Sequence, residues 1–141
     1  MLPQYKSQII NVHIFDDQWT QASLPIAYGG LGVRSSLTLA TSAYLASATA
    51  TSDLITHIVP ERVASNVDDL TEAALASWTL LIGGGDDTPT GLNTYKQSSW
   101  DSKVCSAGFH NLLAINNTPL HRARILASRA RGSSDWLKAI P

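Results

Sequence analysis

Cys105 and His110 are the one thiol and imidazole close together in this sequence, and a thiol deprotonated by a neighbouring histidine would be a nucleophile for acyl transfer. Their five-residue separation puts them on poorly aligned faces of one helix, and nothing nearby offers a recognisable oxyanion site. The expectation is a buried thiol and a half-exposed histidine, with no catalytic residue. Asp86 and Asp87 follow Gly83-Gly84-Gly85. An aspartate pair that holds catalytic metal needs a partner carboxylate on a rigid element, and a calcium loop needs alternating oxygen ligands closed by a distant glutamate. Neither pattern is present, so the pair is expected in an exposed loop. His13, His57, His110 and His121 lack the paired spacing of a zinc site, and Cys105 is the only cysteine. No metal and no cofactor is expected.

The stretch LPIAYGGLGVRSS, residues 24–36, is glycine-rich at the mouth of a helix, where phosphate-binding loops occur. It lacks the lysine that follows the glycines of a nucleoside-triphosphate loop and the third glycine of a dinucleotide loop. Gly29, Gly30 and Gly32 are expected instead to permit positive φ and close backbone approach, so that the next helix packs against what precedes it. One feature does suit a charged partner. On a helical wheel Leu120, Ala123, Leu126, Ala127 and Ala130 fall on one face, with Arg122, Arg124, Arg129 and Arg131 on the other and Ile125 stranded among the arginines. Four guanidiniums on one side of a helix could grip phosphates; a solvated face, or bridges to acidic residues of the same chain, would look the same.

These residues need elements to hold them. The chain has 141 residues, enough for one domain with a core, and 1–141 is read as a single helical domain. No apolar run approaches a membrane span and the N-terminus lacks the layout of a secretory leader, so a soluble intracellular protein without a membrane partner is expected, nuclear or cytoplasmic alike. The triplet Asn116-Asn117-Thr118 is a glycosylation sequon expected to be unused. The net charge of −1 gives no global attraction to nucleic acid, but the distribution is uneven: acids dominate residues 53–101 and bases dominate from His121 onward.

The apolar run 7–15 fits a strand or a buried helical turn, with a lean to helix. Asp16 to Ala22 reads as the entry to a helix that stops before Pro25. Ser35 or Ser36 caps a helix from Leu37 to about Ala50, with Leu37, Ala40, Tyr44, Leu45 and Ala48 inward. Ser52 and Asp53 cap a further short helix through Ile58, limited by Pro60. Asp68, Asp69 and Glu72 sit in the first turn of the next, whose inner stripe is Leu70, Ala73, Ala74, Ser77, Trp78 and Leu81 and which Gly83-Gly84-Gly85 ends. After a loop at 86–91, a helix runs from about Leu92 through Trp100 to Gly108. Thr118-Pro119 gives the clearest helix start, a capping threonine followed by proline in the first helical position. Gly132 stops that helix, and SSDWLKAI reads as a final capped turn. Without strand alternation, the fold class is all-α, an irregular multi-helix bundle of about five to seven helices.

Residues 18–48, QWTQASLPIAYGGLGVRSSLTLATSAYLASA, resemble the region downstream of the polymerase core in reverse transcriptases of non-LTR, LINE-like retrotransposons, where an LP…GGLGIRS segment leads into an alanine-rich helix. The tail HRARILASRARGSSDWLKAIP resembles the same family's later arginine-rich helix and Ser-x-Asp-Trp-Leu-x-Ala-Pro stretch. Residues 60–115 carry no motif of the family. The family's palm, with its aromatic-x-Asp-Asp turn, is missing, and Asp86 and Asp87 follow the GGLG element instead of preceding it. The resemblance therefore implies a non-catalytic helical fragment, the thumb and connection of an RNA-directed DNA polymerase, beginning after the active site and ending before a Cys/His cluster. Its partners would be the backbone of an RNA or DNA duplex and the rest of the parent polymerase. By the resemblance, Arg34, Arg122, Arg124, Arg129 and Arg131 are the candidate phosphate contacts. The alternative is a stand-alone helical protein-interaction module.

Overall fold

The computed structural model describes residues 14–58, 61–85, 87–133 and 135, without the side chains at 56 and 61–68. Among the described residues the protein is all-α and multi-helical, with helices α1 (Asp16–Ser23), α2 (Ser36–Ile58), α3 (Glu61–Leu81), α4 (Gln97–Ile115) and α5 (Pro119–Arg129) and no strand. Ile26–Tyr28 and Gly91–Tyr95 form short 3₁₀ turns. Most of the element expected over 7–15, most of the final turn, and Pro60 and Asp86 lie outside the described residues. Two compact units divide the chain, Arg34–Gly108 and Met1–Val33 with Phe109–Pro141.

In the unit Arg34–Gly108, α2 and α3 pack together as a helical hairpin around Leu45, Ala46, Trp78 and Trp100, with Ala74, Leu75, Ile82 and Val104 against them. Trp78 and Trp100 meet edge to face, ring centroids 5.0 Å apart at 79°. Burying an indole strands its N–H unless an acceptor is supplied. The Trp78 Nε1–H donates to the Trp100 carbonyl at 3.3 Å, and the Trp100 Nε1–H donates to the Thr94 carbonyl at 2.8 Å. The Thr49 hydroxyl donates to the same Thr94 carbonyl at 2.9 Å, tying α2 to the 3₁₀ turn.

Five sequence expectations are corrected in this unit. The helix expected to end near Ala50 continues to Ile58: the Ser52 hydroxyl, expected to cap a new helix, instead donates backwards to the Thr49 carbonyl at 3.2 Å, as the neighbouring Thr51 hydroxyl does to that of Ser47 at 2.9 Å. Its inner face is Ser42, Leu45 and Ala46, whereas Leu37 is 79% exposed and Ala40 and Tyr44 face outward. Since α3 begins at Glu61, Asp68, Asp69 and Glu72 lie within it and not in its first turn. Its inward residues are Ala74, Leu75 and Trp78, with Leu70, Ala73, Ser77 and Leu81 exposed. The helix expected to span Leu92 to Gly108 starts at Gln97 and runs through Gly108 to Ile115; Gly108 keeps a negative φ, and Phe109 and Leu112 beyond it are buried. Gly83–Gly85 do end α3, all three at positive φ.

In the other unit, Leu24, Phe109, Leu112 and Ile125 form the core, with Tyr28 and Leu113 packed against it. The chain leaves α1 at Ser23, ahead of Pro25 as expected, and folds back: the N–H groups of Leu31 and Val33 both donate to the Ala22 carbonyl, at 3.1 and 3.2 Å. Glycine makes that return possible. At Gly29, φ is +79°, and an added Cβ would meet the Ser128 carbonyl carbon at 2.9 Å; at Gly30 it would meet the Gln21 carbonyl oxygen at 2.6 Å. The expectation for the three glycines therefore divides: Gly29 has both the positive φ and the close approach, to α5; Gly30 has the close approach, to the Leu24 carbonyl first and then to α1, without a positive φ; Gly32 has φ +72° and open space around it. Thr118 caps α5 as its sequence indicates, its hydroxyl accepting from the His121 N–H at 3.3 Å with Pro119 in the first turn.

Candidate nucleic-acid interface

The orientation of α5 decides which arginines are available. Ile125, expected to be stranded among arginines, is 5% exposed and is the buried residue of the helix. Leu120 and Leu126, expected to face inward, are 61% and 50% exposed, and Ala123, Ala127 and Ala130 are exposed with them. This correction to the wheel has a physical reason. An arginine stem is apolar and its planar head is weakly hydrated, so arginine can line a contact that aliphatic counting assigns to leucine. The Arg129 guanidinium carbon lies 4.6 Å from the Phe109 ring centroid and 5.1 Å from that of Tyr28, within cation–π range of both. The Arg122 Nη1 donates to the Leu113 carbonyl at 2.7 Å, serving one of the last-turn carbonyls of α4 that has no intrahelical donor.

Arg124 and Arg131 are exposed and, among the described residues, neither is in an ion pair. All four arginines of α5 and its exit therefore reach solvent, two of them after making a structural contact. Arg34 differs. It lies in the other unit and grips Asp101 with both nitrogens, Nη1 to Oδ2 at 2.8 Å and Nη2 to Oδ1. The hydrogen bond to Asp101 raises the Arg34 pKa against the opposing effect of burial. A bidentate carboxylate already fills the fork that a phosphate would use.

Asp101 also accepts from the Cys105 thiol, Sγ to Oδ2 at 3.7 Å. Burial first, and the Asp101 charge second, push the Cys105 pKa up to about 11, with Arg34 pulling the other way. A thiol protonated at neutral pH is no nucleophile. Asp87 is exposed and pairs with Lys103 at 3.0 Å. Among the described residues no three His, Cys, Asp or Glu side chains are grouped to hold a metal ion, and no helix is long and apolar enough to cross a membrane.

A feature the sequence reading missed is a cleft of about 170 Å³ beside α5, lined by Asp17, Gln18 and Gln21 of α1, Leu112 of α4, Asn116, and His121, Arg124 and Ile125 of α5. The signal was present as two helical faces of polar residues, 17/18/21 and 121/124/125, but nothing in sequence says that they oppose each other. No family model, curated protein or solved structure matches the chain.

Proposed function

We propose that the chain is a non-catalytic helical region of the kind that follows the palm in non-LTR retrotransposon reverse transcriptases, with weak, sequence-independent affinity for a nucleic-acid duplex. The observation that carries this reading is the packing of Gly29, in the GGLG turn, on the backbone of Ser128 and Arg129 in the arginine-rich helix. Those are the two stretches on which the resemblance rests. Their packing within one unit supports reading the two segments together. Phosphate contact is assigned first to Arg124 and Arg131, then to the remaining donors of Arg122 and Arg129; Arg34, held by Asp101, is left out of it.

Fluorescence anisotropy with a labelled RNA–DNA hybrid over a salt series tests the binding. Two to four phosphate contacts give a log–log slope of roughly 2 to 4, and the affinity should not change with sequence. No binding at low salt, or binding indifferent to salt, removes the proposal. The outward Leu120 and Leu126 favour a second reading, a helical protein-interaction module, which predicts a cooperatively folding chain with no affinity for the hybrid.

A further inference from the structure

The cleft beside α5 carries unmatched polar groups of both signs. Among the described residues neither Asp17 nor Arg124 is in an ion pair, yet both line it. Its three amides are half used by the fold, and the used half fixes how each is turned. Gln18 Oε1 accepts from the Phe15 N–H at 3.2 Å, which leaves its NH₂. Gln21 Nε2 donates to the Gly29 carbonyl at 3.4 Å and to the Ser128 hydroxyl at 3.3 Å, which leaves its carbonyl. Asn116 Nδ2 donates to the Leu112 carbonyl at 2.9 Å, which leaves its carbonyl.

The residual groups therefore sort into an accepting set, the Asp17 carboxylate with the Gln21 and Asn116 carbonyls, and a donating set, the Arg124 guanidinium with the Gln18 amide and the His121 ring. An ammonium has three donors and no acceptor; a carboxylate only accepts and matches the arginine fork. We propose that this cleft binds a small zwitterion, an α-amino acid or a dipeptide, with its ammonium toward Asp17, Gln21 and Asn116 and its carboxylate toward Arg124, Gln18 and His121. A simple anion would face the Asp17 charge, and a simple cation that of Arg124. The zwitterion satisfies both, and the small volume limits it to a compact ligand. The cleft shares Arg124 with the proposed duplex contact, but the ligand series is read without any nucleic acid present, so the failure of either proposal is seen separately.

The test is a titration of the ¹⁵N-labelled full chain followed by amide shifts, with alanine, dialanine, N-acetylalanine and alaninamide as probes. Saturable shifts around Asp17, Asn116 and His121–Ile125 are expected with alanine or dialanine, and which of the two binds more tightly tells a free amino acid from a peptide. N-acetylalanine and alaninamide, each lacking one charge, should bind at least about tenfold more weakly, the loss of one charge-assisted hydrogen bond. Asp17→Asn should weaken the zwitterion about tenfold and spare N-acetylalanine, whereas Arg124→Gln should weaken both. Shifts of equal affinity for alanine and N-acetylalanine, or no saturable shift with either zwitterion, overturn the proposal. The ligand series on the unaltered chain decides this even if a variant fails to fold.

Discussion

The two units use arginine in opposite ways. In Arg34–Gly108 the arginine at the start of α2 is matched to a carboxylate, and its charge is cancelled where it is made. In the unit containing α5, Arg129 is held by the faces of Phe109 and Tyr28 and Arg122 by a helix-end carbonyl, and neither partner carries a neutralising charge. The same residue type thus closes one site and leaves the other electropositive. Charge counted along the sequence does not measure charge offered to a partner.

The cores differ in the same spirit, and the largest expected effect comes from the tryptophan pair. Trp78 is fully buried, and Trp78→Ala should cost about 3–5 kcal/mol in chemical denaturation, enough to unfold a domain of ordinary stability. A loss under 1 kcal/mol would mean that the two indoles do not organise the unit Arg34–Gly108. In the other unit, Ile125→Ala should cost about 2–4 kcal/mol, while Leu126→Ala next to it changes stability by roughly 0.5 kcal/mol or less. The reverse order would restore the aliphatic wheel, with Leu126 inward and Ile125 outward. Gly29→Ala should follow at about 1–3 kcal/mol, from a strained positive φ and crowding against α5; a neutral effect would show that the turn does not lie on that helix.

A smaller effect separates the units by pH. The folded chain keeps the Cys105 proton up to about pH 11, whereas the unfolded chain begins to lose it from roughly pH 8.5. Folded protein then binds more protons than unfolded, so this contribution is complete below that lower value and fades as pH rises toward 11. Comparing denaturation of the native chain and Cys105→Ala from pH 7 to 11 isolates it, since the variant should lose that part of the slope. Slow alkylation of Cys105 at neutral pH in the folded chain, and fast alkylation in denaturant, should accompany it.

What was legible in the sequence was local chemistry. Thr118-Pro119 caps a helix whatever lies around it, Gly83–Gly85 end one, and a tryptophan such as Trp78 is buried on size alone. Phase was not legible. In α2 the alternation of Ala, Ser and Thr offers almost no contrast between faces, so the stripe through Leu37 and Tyr44 matched the period as well as the one through Ser42 and Leu45. In α5 the inversion depends on Tyr28 and Phe109, whose rings make an arginine face the better contact and which are remote in the chain. The cleft was illegible for the same reason, because its donors and acceptors come from elements whose pairing only tertiary structure sets. Helix continuity through Ser52 and Gly108 likewise rests on hydroxyls that bond backwards and on buried residues beyond the glycine.

Division of the arginines into cancelled and offered charge is tested most directly by the salt dependence of hybrid binding. Anisotropy titrations would compare the native chain, Arg34→Gln and the double variant Arg124→Gln/Arg131→Gln, each shown to be folded by circular dichroism. The account predicts that the double variant lowers the log–log slope by about 2 and that Arg34→Gln leaves it unchanged. An unchanged slope in the double variant, or a lower one in Arg34→Gln, would contradict it.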